Sequence, residues 1–179
     1  MRRSIILAAI AGTLACTLVA CSSPKPPRGV RVVEPFDASR YLGRWYEIAR
    51  LENRFERGLE RVTATYSLND NGTIAVVNQG YDPSSAKWQR SEGTARFTGS
   101  PQRAALKVSF FGPFYGGYNV IALDKDYRHA LVCGPDRSYL WILSRTPTID
   151  DATRQHLLQQ ARLQGFDVDK LLWVRQQNQ

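Results

Sequence analysis

Histidine, methionine and cysteine are scarce in this chain of 179 residues, which holds two histidines, one methionine and three cysteines. His129 and His156 keep no metal-ligand spacing with one another or with cysteine, so a zinc-type centre has no donor set. No G-x-S-x-G motif and no Cys/His pairing is present, which removes the usual sequence marks of a nucleophilic enzyme. The formal charge is +8, but the cations are spread out and form no Lys/Arg block of the kind that marks a nucleic-acid patch. They read as a solvated surface with, at most, a weak attraction to anionic lipid headgroups. The uncharged run Ile5–Ala20 is marginal for a spanning helix, which needs about 20 apolar residues. Of the cysteines, Cys16 lies inside that run, Cys21 closes it, and Cys133 stands alone in the body. With the first cleaved away and the second modified, no intramolecular disulfide remains, and the core alone must hold the fold.

What is present begins with an address. Met1-Arg2-Arg3, an apolar stretch and small residues near its end make a secretory signal over residues 1–20. Leu18-Val19-Ala20-Cys21 resembles the bacterial lipobox, which implies cleavage before Cys21 and acylation there; several acyl chains give a stable anchor where one does not. Ser22 in the next position implies release to the outer membrane. Residues 22–29, Ser-Ser-Pro-Lys-Pro-Pro-Arg-Gly, have a linker's composition. A tether over 21–35, about 14 residues at roughly 3 Å each, would hold the domain up to about 40 Å from the bilayer. The domain itself is placed at 36–179.

From Gly43 onward, short β-branched and aromatic runs alternate with turn clusters. The runs are 44–51, 61–68, 73–81, 87–98, 104–111, 118–123, 129–133 and 139–144, with Asn69-Asp70-Asn71-Gly72 a strong hairpin turn. Short connections between eight strands predict an antiparallel up-and-down barrel, an all-β architecture that removes sheet edges. One helix follows, with Thr148 as its cap, Asp151 three residues later, an apolar stripe of Ile149, Ala152, Leu157, Leu158 and Ala161, and Gly165 as its stop. Leu171–Val174 reads as a short final strand.

That order resembles the lipocalin family. Gly43-Arg44-Trp45 matches its G-x-W motif at the head of the first strand. Asp126-Tyr127 matches part of the turn between the sixth and seventh strands, where Lys125 replaces the family's threonine. Arg145 stands where the family has an arginine after the eighth strand. The strings 111–121 and 139–147 are similar to the bacterial outer-membrane branch of the family. The resemblance implies that Arg145 packs across Trp45 and closes the barrel floor, a cation–π contact of roughly 0.5–2 kcal/mol. It also implies a hydrophobic ligand, a fatty acid such as palmitate or a lysophospholipid, held for membrane maintenance under stress, and it implies homodimers. No cofactor, metal or catalysis is expected.

Alternation assigns faces without the family. With Trp45 inward, Glu47, Ala49 and Leu51 share its face. Arg145 inward puts Leu143, Trp141 and Tyr139 above it. Leu106, Val108 and Phe110 face inward between Lys107 and Ser109. The Gly- and aromatic-rich stretch 111–118 is expected to border the mouth, with Tyr115 near a headgroup. The ligand-pocket candidates are therefore Glu47, Ala49, Leu106, Val108, Phe110, Tyr115, Tyr139 and Trp141. An eight-stranded barrel either fills with side chains or holds one small ligand. Trp88, Phe97, Phe110, Tyr139 and Trp141 could fill it; Ala49, Ala64, Ala75 and Ala95 argue for space. A structural or partner-binding lipoprotein with a filled barrel is the alternative. Cys133 reads as a buried structural thiol.

Overall fold

The computed structural model describes residues 24–176; the signal segment 1–20 and the acylation position Cys21 lie outside the described residues. A one-turn helix, α1 (Ala38–Tyr41), is capped by Asp37, whose carboxylate accepts from the Ser39 amide. Eight strands follow: β1 (Gly43–Leu51), β2 (Glu60–Leu68), β3 (Ile74–Asp82), β4 (Lys87–Phe97), β5 (Ala105–Phe111), β6 (Phe114–Leu123), β7 (His129–Cys133) and β8 (Leu140–Ser144). Each pairs antiparallel with the next, and β8 returns to β1, so the sheet closes into the expected up-and-down barrel. Helix α2 (Asp151–Leu163) and strand β9 (Leu171–Trp173) complete the chain.

The period-two pattern sorts the apolar residues into two layers. Inside the barrel lie Trp45, Tyr66, Ile74, Val76, Ala95, Leu106, Val120, Val132 and Leu143. On the outer wall, Ile48, Ala49, Leu131, Leu140 and Ile142 pack under Leu157, Leu158 and Ala161 of α2. The single helix thus covers the part of the outer wall that is apolar. Its cap is Asp150, which accepts from the Thr153 amide at 2.7 Å, not the expected Thr148. An aspartate three residues ahead of an amide donor satisfies an orphan N–H at least as well as threonine does. Gly165, at φ +82°, ends the helix as expected, while Ala152 faces solvent, outside the buried stripe.

Strand β1 serves three neighbours. It pairs with β2 through Gly43–Tyr46, with β8 through Tyr46–Arg50, and with β9 through Ala49–Leu51. Where β1 and β2 part, the C-terminal segment fills the wedge. Val174 N donates to Ile48 O, Arg61 N to Arg175 O, and Gln176 Nε2 to both Glu47 O and Val62 O. The register along β8 slips between Glu47 and Ala49, a β-bulge at Ile48. The slip reverses the expected parity. Ala49 and Leu51 lie on the helix-covered wall, and Arg50 points inward instead, opposite Trp141.

Two further expectations change. Gly116 and Gly117 pair with Val108 and Lys107, so β6 starts at Phe114 where the sequence suggested a loop to residue 117. A Cβ at Gly117 would lie 2.6 Å from the Pro24 carbonyl oxygen, so glycine is required by a close chain crossing and not by a turn. The stretch 24–35 lies against the barrel. Val30 is buried in the outer cluster, Val33 N donates to Val120 O, and Val33 O accepts from Ala104 N. Its valines outweigh the linker composition around them.

Candidate functional site

The connections β2–β3, β4–β5 and β6–β7 lie at the end closed by α1, the floor; β1–β2, β3–β4, β5–β6 and β7–β8 lie at the other end, the mouth. At the floor the Arg145 guanidinium lies 3.9 Å from the Trp45 ring centroid. It also donates to the backbone carbonyls of Arg40, Leu42, Arg44 and Tyr127. Gly43, at φ +93°, leaves room for it: a Cβ there would sit 3.4 Å from Arg145 Nη1. Trp45 is wholly buried and its indole N–H donates to Tyr41 O at 2.8 Å. The turn motif contributes through Tyr127, whose ring lies under the Arg40 guanidinium and whose hydroxyl accepts from Asp37 N. The carboxylate that ties this turn is Asp124, which accepts from the Arg128 and His129 amides.

Above the plug, the Tyr118 hydroxyl lies 2.8 Å from the hydroxyls of both Tyr41 and Tyr66. Burial raises the pKa of all three phenols, so they stay neutral. Around them is an apolar cavity of about 20 Å³ lined by Phe36, Ala38, Tyr41, Leu42, Tyr66, Ile74, Val76, Ala95, Leu106, Val108 and Tyr118. That is room for about one water molecule, far below the roughly 300–1,000 Å³ of a ligand pocket. The lower half of the barrel is therefore nearly filled.

The upper half differs. Glu47 and Arg50 point inward and form an ion pair at 2.8 Å, both buried. The β1–β2 loop, residues 52–59, folds over them. Arg50 Nη2 donates to Glu56 O and Leu59 O, Asn53 Nδ2 to Glu56 Oε2, and the Trp141 indole N–H to Glu56 Oε2 at 2.9 Å. Burial first, and then the neighbouring Glu56 carboxyl group, push Glu47 well above the usual carboxylate range, against the pull of Arg50. Arg50 Nε in this cluster and Asn78 Oδ1 on β3, opposite Ser91, are buried with no hydrogen-bond partner among the described residues. The cover is incomplete: Ser91 and Gly116, which share a face with the interior residues Ala95 and Val108, are exposed on the β4 and β6 side. Phe110 lies across Gly93 below this gap, where a Cβ would come within 2.8 Å of its ring.

Of the candidates named from sequence, Leu106, Val108, Phe110 and Trp141 belong to the interior cluster, Tyr139 stacks on Trp141, and Glu47 lies among them. Ala49 does not, because of the bulge. Tyr115 stands at the mouth on the outer wall, with the Lys107 ammonium 4.6 Å from its ring centroid. Trp88 also faces outward, 58 % exposed, and Ala75, opposite Thr94 toward the floor end of β3, is on the outer wall as well. Sequence reasoning missed Arg50 and Glu56. The spacing of Glu47 and Arg50 becomes meaningful only after the bulge, and Glu56 reaches the interior from a loop with no periodicity. Cys133 is wholly buried beneath the outer cluster, and burial pushes its thiol up to about 12. It faces away from the interior and from any molecule held there.

Comparison with known proteins agrees with this geometry. The Lipocalin-like domain family matches residues 36–176. The chain is 70% identical over 166 residues to outer membrane lipoprotein Blc of Escherichia coli (strain K12), covering 93% of this chain and 94% of that one. It is 66% identical over 176 residues to outer membrane lipoprotein Blc of Citrobacter freundii, covering 98% of each. Among solved structures, insecticyanin from the tobacco hornworm superposes with a TM-score of 0.66 at 20% identity, covering 85% of this chain and 87% of its own, a likeness of fold alone. A closed eight-stranded barrel plugged by Trp45 and Arg145, matched by the family over its whole length, makes this chain a member of the lipocalin family.

Proposed function

We propose that this outer-membrane lipoprotein, acylated at Cys21, binds one single-chain amphiphile, a fatty acid or a lysophospholipid, and carries or stores it for membrane maintenance. The relatives' names support the compartment, and the lipobox residues support the anchor. The observation that carries the ligand reading is the unfinished polar cluster of the upper barrel. Arg50 Nε and Asn78 Oδ1 are buried without partners, and Asn78 lies opposite the exposed Ser91 at the gap; a bound polar head would supply what they lack. The acyl chain then lies over Val108, Phe110 and Trp141, with its end toward the tyrosines. Seating it requires loop 52–59 to lift and Phe110 to turn, because the cavity below is small. Burying about 14 methylenes at about 0.8 kcal/mol each gives roughly 11 kcal/mol. Association and ordering cost several kcal/mol, leaving a micromolar dissociation constant that permits release.

The small cavity favours a second reading, a filled barrel that serves a partner protein. Lipid extraction of the purified full-length protein followed by mass spectrometry separates the two. The ligand reading expects about one single-chain lipid per barrel, and fatty acid or lysophospholipid rebinding to the stripped protein with micromolar affinity. A barrel that carries no lipid and takes up none overturns it.

A further inference from the structure

The path of the N-terminal segment fixes which end of the barrel meets the membrane. Following the chain backward from α1, Phe36 N donates to Gln102 O in the β4–β5 connection at the floor, and Val33 N to Val120 O in mid-barrel. Arg28 O then accepts from Arg137 Nη2 of the β7–β8 connection at the mouth. Pro24 crosses β6 at Gly117, and the Asn119 Nδ2 that reaches its carbonyl also reaches the carbonyls of Cys133 and Gly134 at the mouth end of β7. Cys21 precedes Pro24 by three residues, a span of about 11 Å at most. Gly117 is itself three residues from Phe114, the first residue after the β5–β6 turn, or about 10 Å along a strand.

At that same turn stand Phe111 and Phe114, 78 % and 72 % exposed. Lys107 and Tyr115 flank them on the outer wall, a cation and an amphipathic ring of the kind that suits a headgroup layer. Phe55, 65 % exposed, stands on the β1–β2 loop at the same end. Exposed aromatics gathered at one end of a water-facing barrel mark an interaction surface.

The geometry points to a mouth-down seating: the phospholipid leaflet that holds the Cys21 acyl chains also takes Phe111 and Phe114 as interfacial anchors, so that the gap between loop 52–59 and β4–β6 opens directly onto the leaflet. The inference rests on acylation at Cys21, as proposed above. The tether cannot hold the domain away from the bilayer, because it is fixed to the barrel at Pro24, Arg28, Val30 and Val33. Ligand then passes between leaflet and barrel without crossing water.

The test uses the full lipidated chain in vesicles of phosphatidylethanolamine and phosphatidylglycerol. A polarity-sensitive fluorophore is placed on Phe114→Cys or, at the floor, on Asn71→Cys in the β2–β3 turn; Cys133 is buried and does not compete. The expected result is a blue shift at 114, with strong quenching by a nitroxide on the lipid chain, and neither effect at 71. Quenching at 71 instead, or at neither position, overturns the proposal. A blue shift at 114 without vesicles also overturns it, by making a second copy of the chain the occupant. In a second arm, Phe111→Ser with Phe114→Ser should leave the protein on vesicles while slowing uptake of a fluorescent fatty acid from them about tenfold; an unchanged rate counts against leaflet exchange. A failure of the anchor shows separately, as wild-type protein that does not float with vesicles. A failure of the ligand reading shows as no uptake by the wild type while the labels still report which end faces the lipid.

Discussion

The floor and the mouth of this barrel are built from the same eight strands and solve opposite problems. At the floor the buried polar groups are partnered. Arg145 donates to four carbonyls, the Trp45 indole to Tyr41 O, and the tyrosine hydroxyls to one another. At the mouth an ion pair is buried under a loop, with Arg50 Nε and Asn78 Oδ1 unmet. A half-satisfied polar network is less stable than either a complete one or an apolar core. A polar network left open toward the mouth is what a ligand-completed site requires.

The sharpest way to break this comparison is to remove one residue from each half. Trp45→Ala should cost about 3–5 kcal/mol by opening a hole in a packed core. Arg50→Met should cost a similar 3–5 kcal/mol, because it removes the buried donor to the Glu47 carboxyl group and to the carbonyls of Glu56 and Leu59. The halves then separate on rescue. Adding Glu47→Leu to Arg50→Met should restore most of the loss in urea denaturation, since no buried charge remains. No single second substitution should restore Trp45→Ala. A double variant no better than Arg50→Met alone would mean that the mouth is packed like the floor.

A smaller effect is expected from the loop. Glu56→Ala removes the acceptor for Trp141 and Asn53, worth about 1 kcal/mol in stability. Because these bonds exist only with the loop closed, the variant should speed ligand exchange about tenfold, read by stopped-flow with a fluorescent fatty acid. A stability loss with unchanged exchange would make the loop a fixed part of the wall.

The floor plug was legible in the sequence and the polar cluster of the mouth only in part, for a physical reason. Gly43, Trp45 and Arg145 were legible through the resemblance to the lipocalin motifs, and they meet in close packing that admits few residue types. The strand order followed from turn residues such as Asn71-Gly72. The inward face of β5 followed from Leu106, Val108 and Phe110 alternating with Lys107 and Ser109. The mouth depends on events that alternation cannot encode. A bulge at Ile48 exchanges Ala49 for Arg50 on the inner face. Gly116 and Gly117 belong to a strand, which Pro24 crosses at Gly117. Glu56 arrives from a loop, and the N-terminal stretch docks through Val30 and Val33 despite its prolines. Each is a tertiary contact that overrides a local pattern.

The finest distinction between the halves is electrostatic. Two forces compete at Glu47: Arg50 at 2.8 Å favours the carboxylate, while burial and Glu56 favour the acid. If burial wins, as the raised pKa indicates, the folded protein keeps the Glu47 proton at pH values where the unfolded chain has released it. The stability from this group is then full below the unfolded value near 4.5 and is lost as the pH rises through the higher folded value. Glu47→Gln, neutral at every pH, lacks that slope. In parallel urea titrations the stability difference between wild type and Glu47→Gln should therefore shrink as the pH rises above the unfolded value near 4.5. If the Arg50 pair wins instead, the folded pKa lies below the unfolded one, and the difference grows from acid pH upward and then levels. Growth would make the mouth a settled ion pair like the floor's cation; shrinkage would mean that Glu47 is held as the neutral acid, leaving Arg50 a buried cation to which a ligand's anionic head could pair.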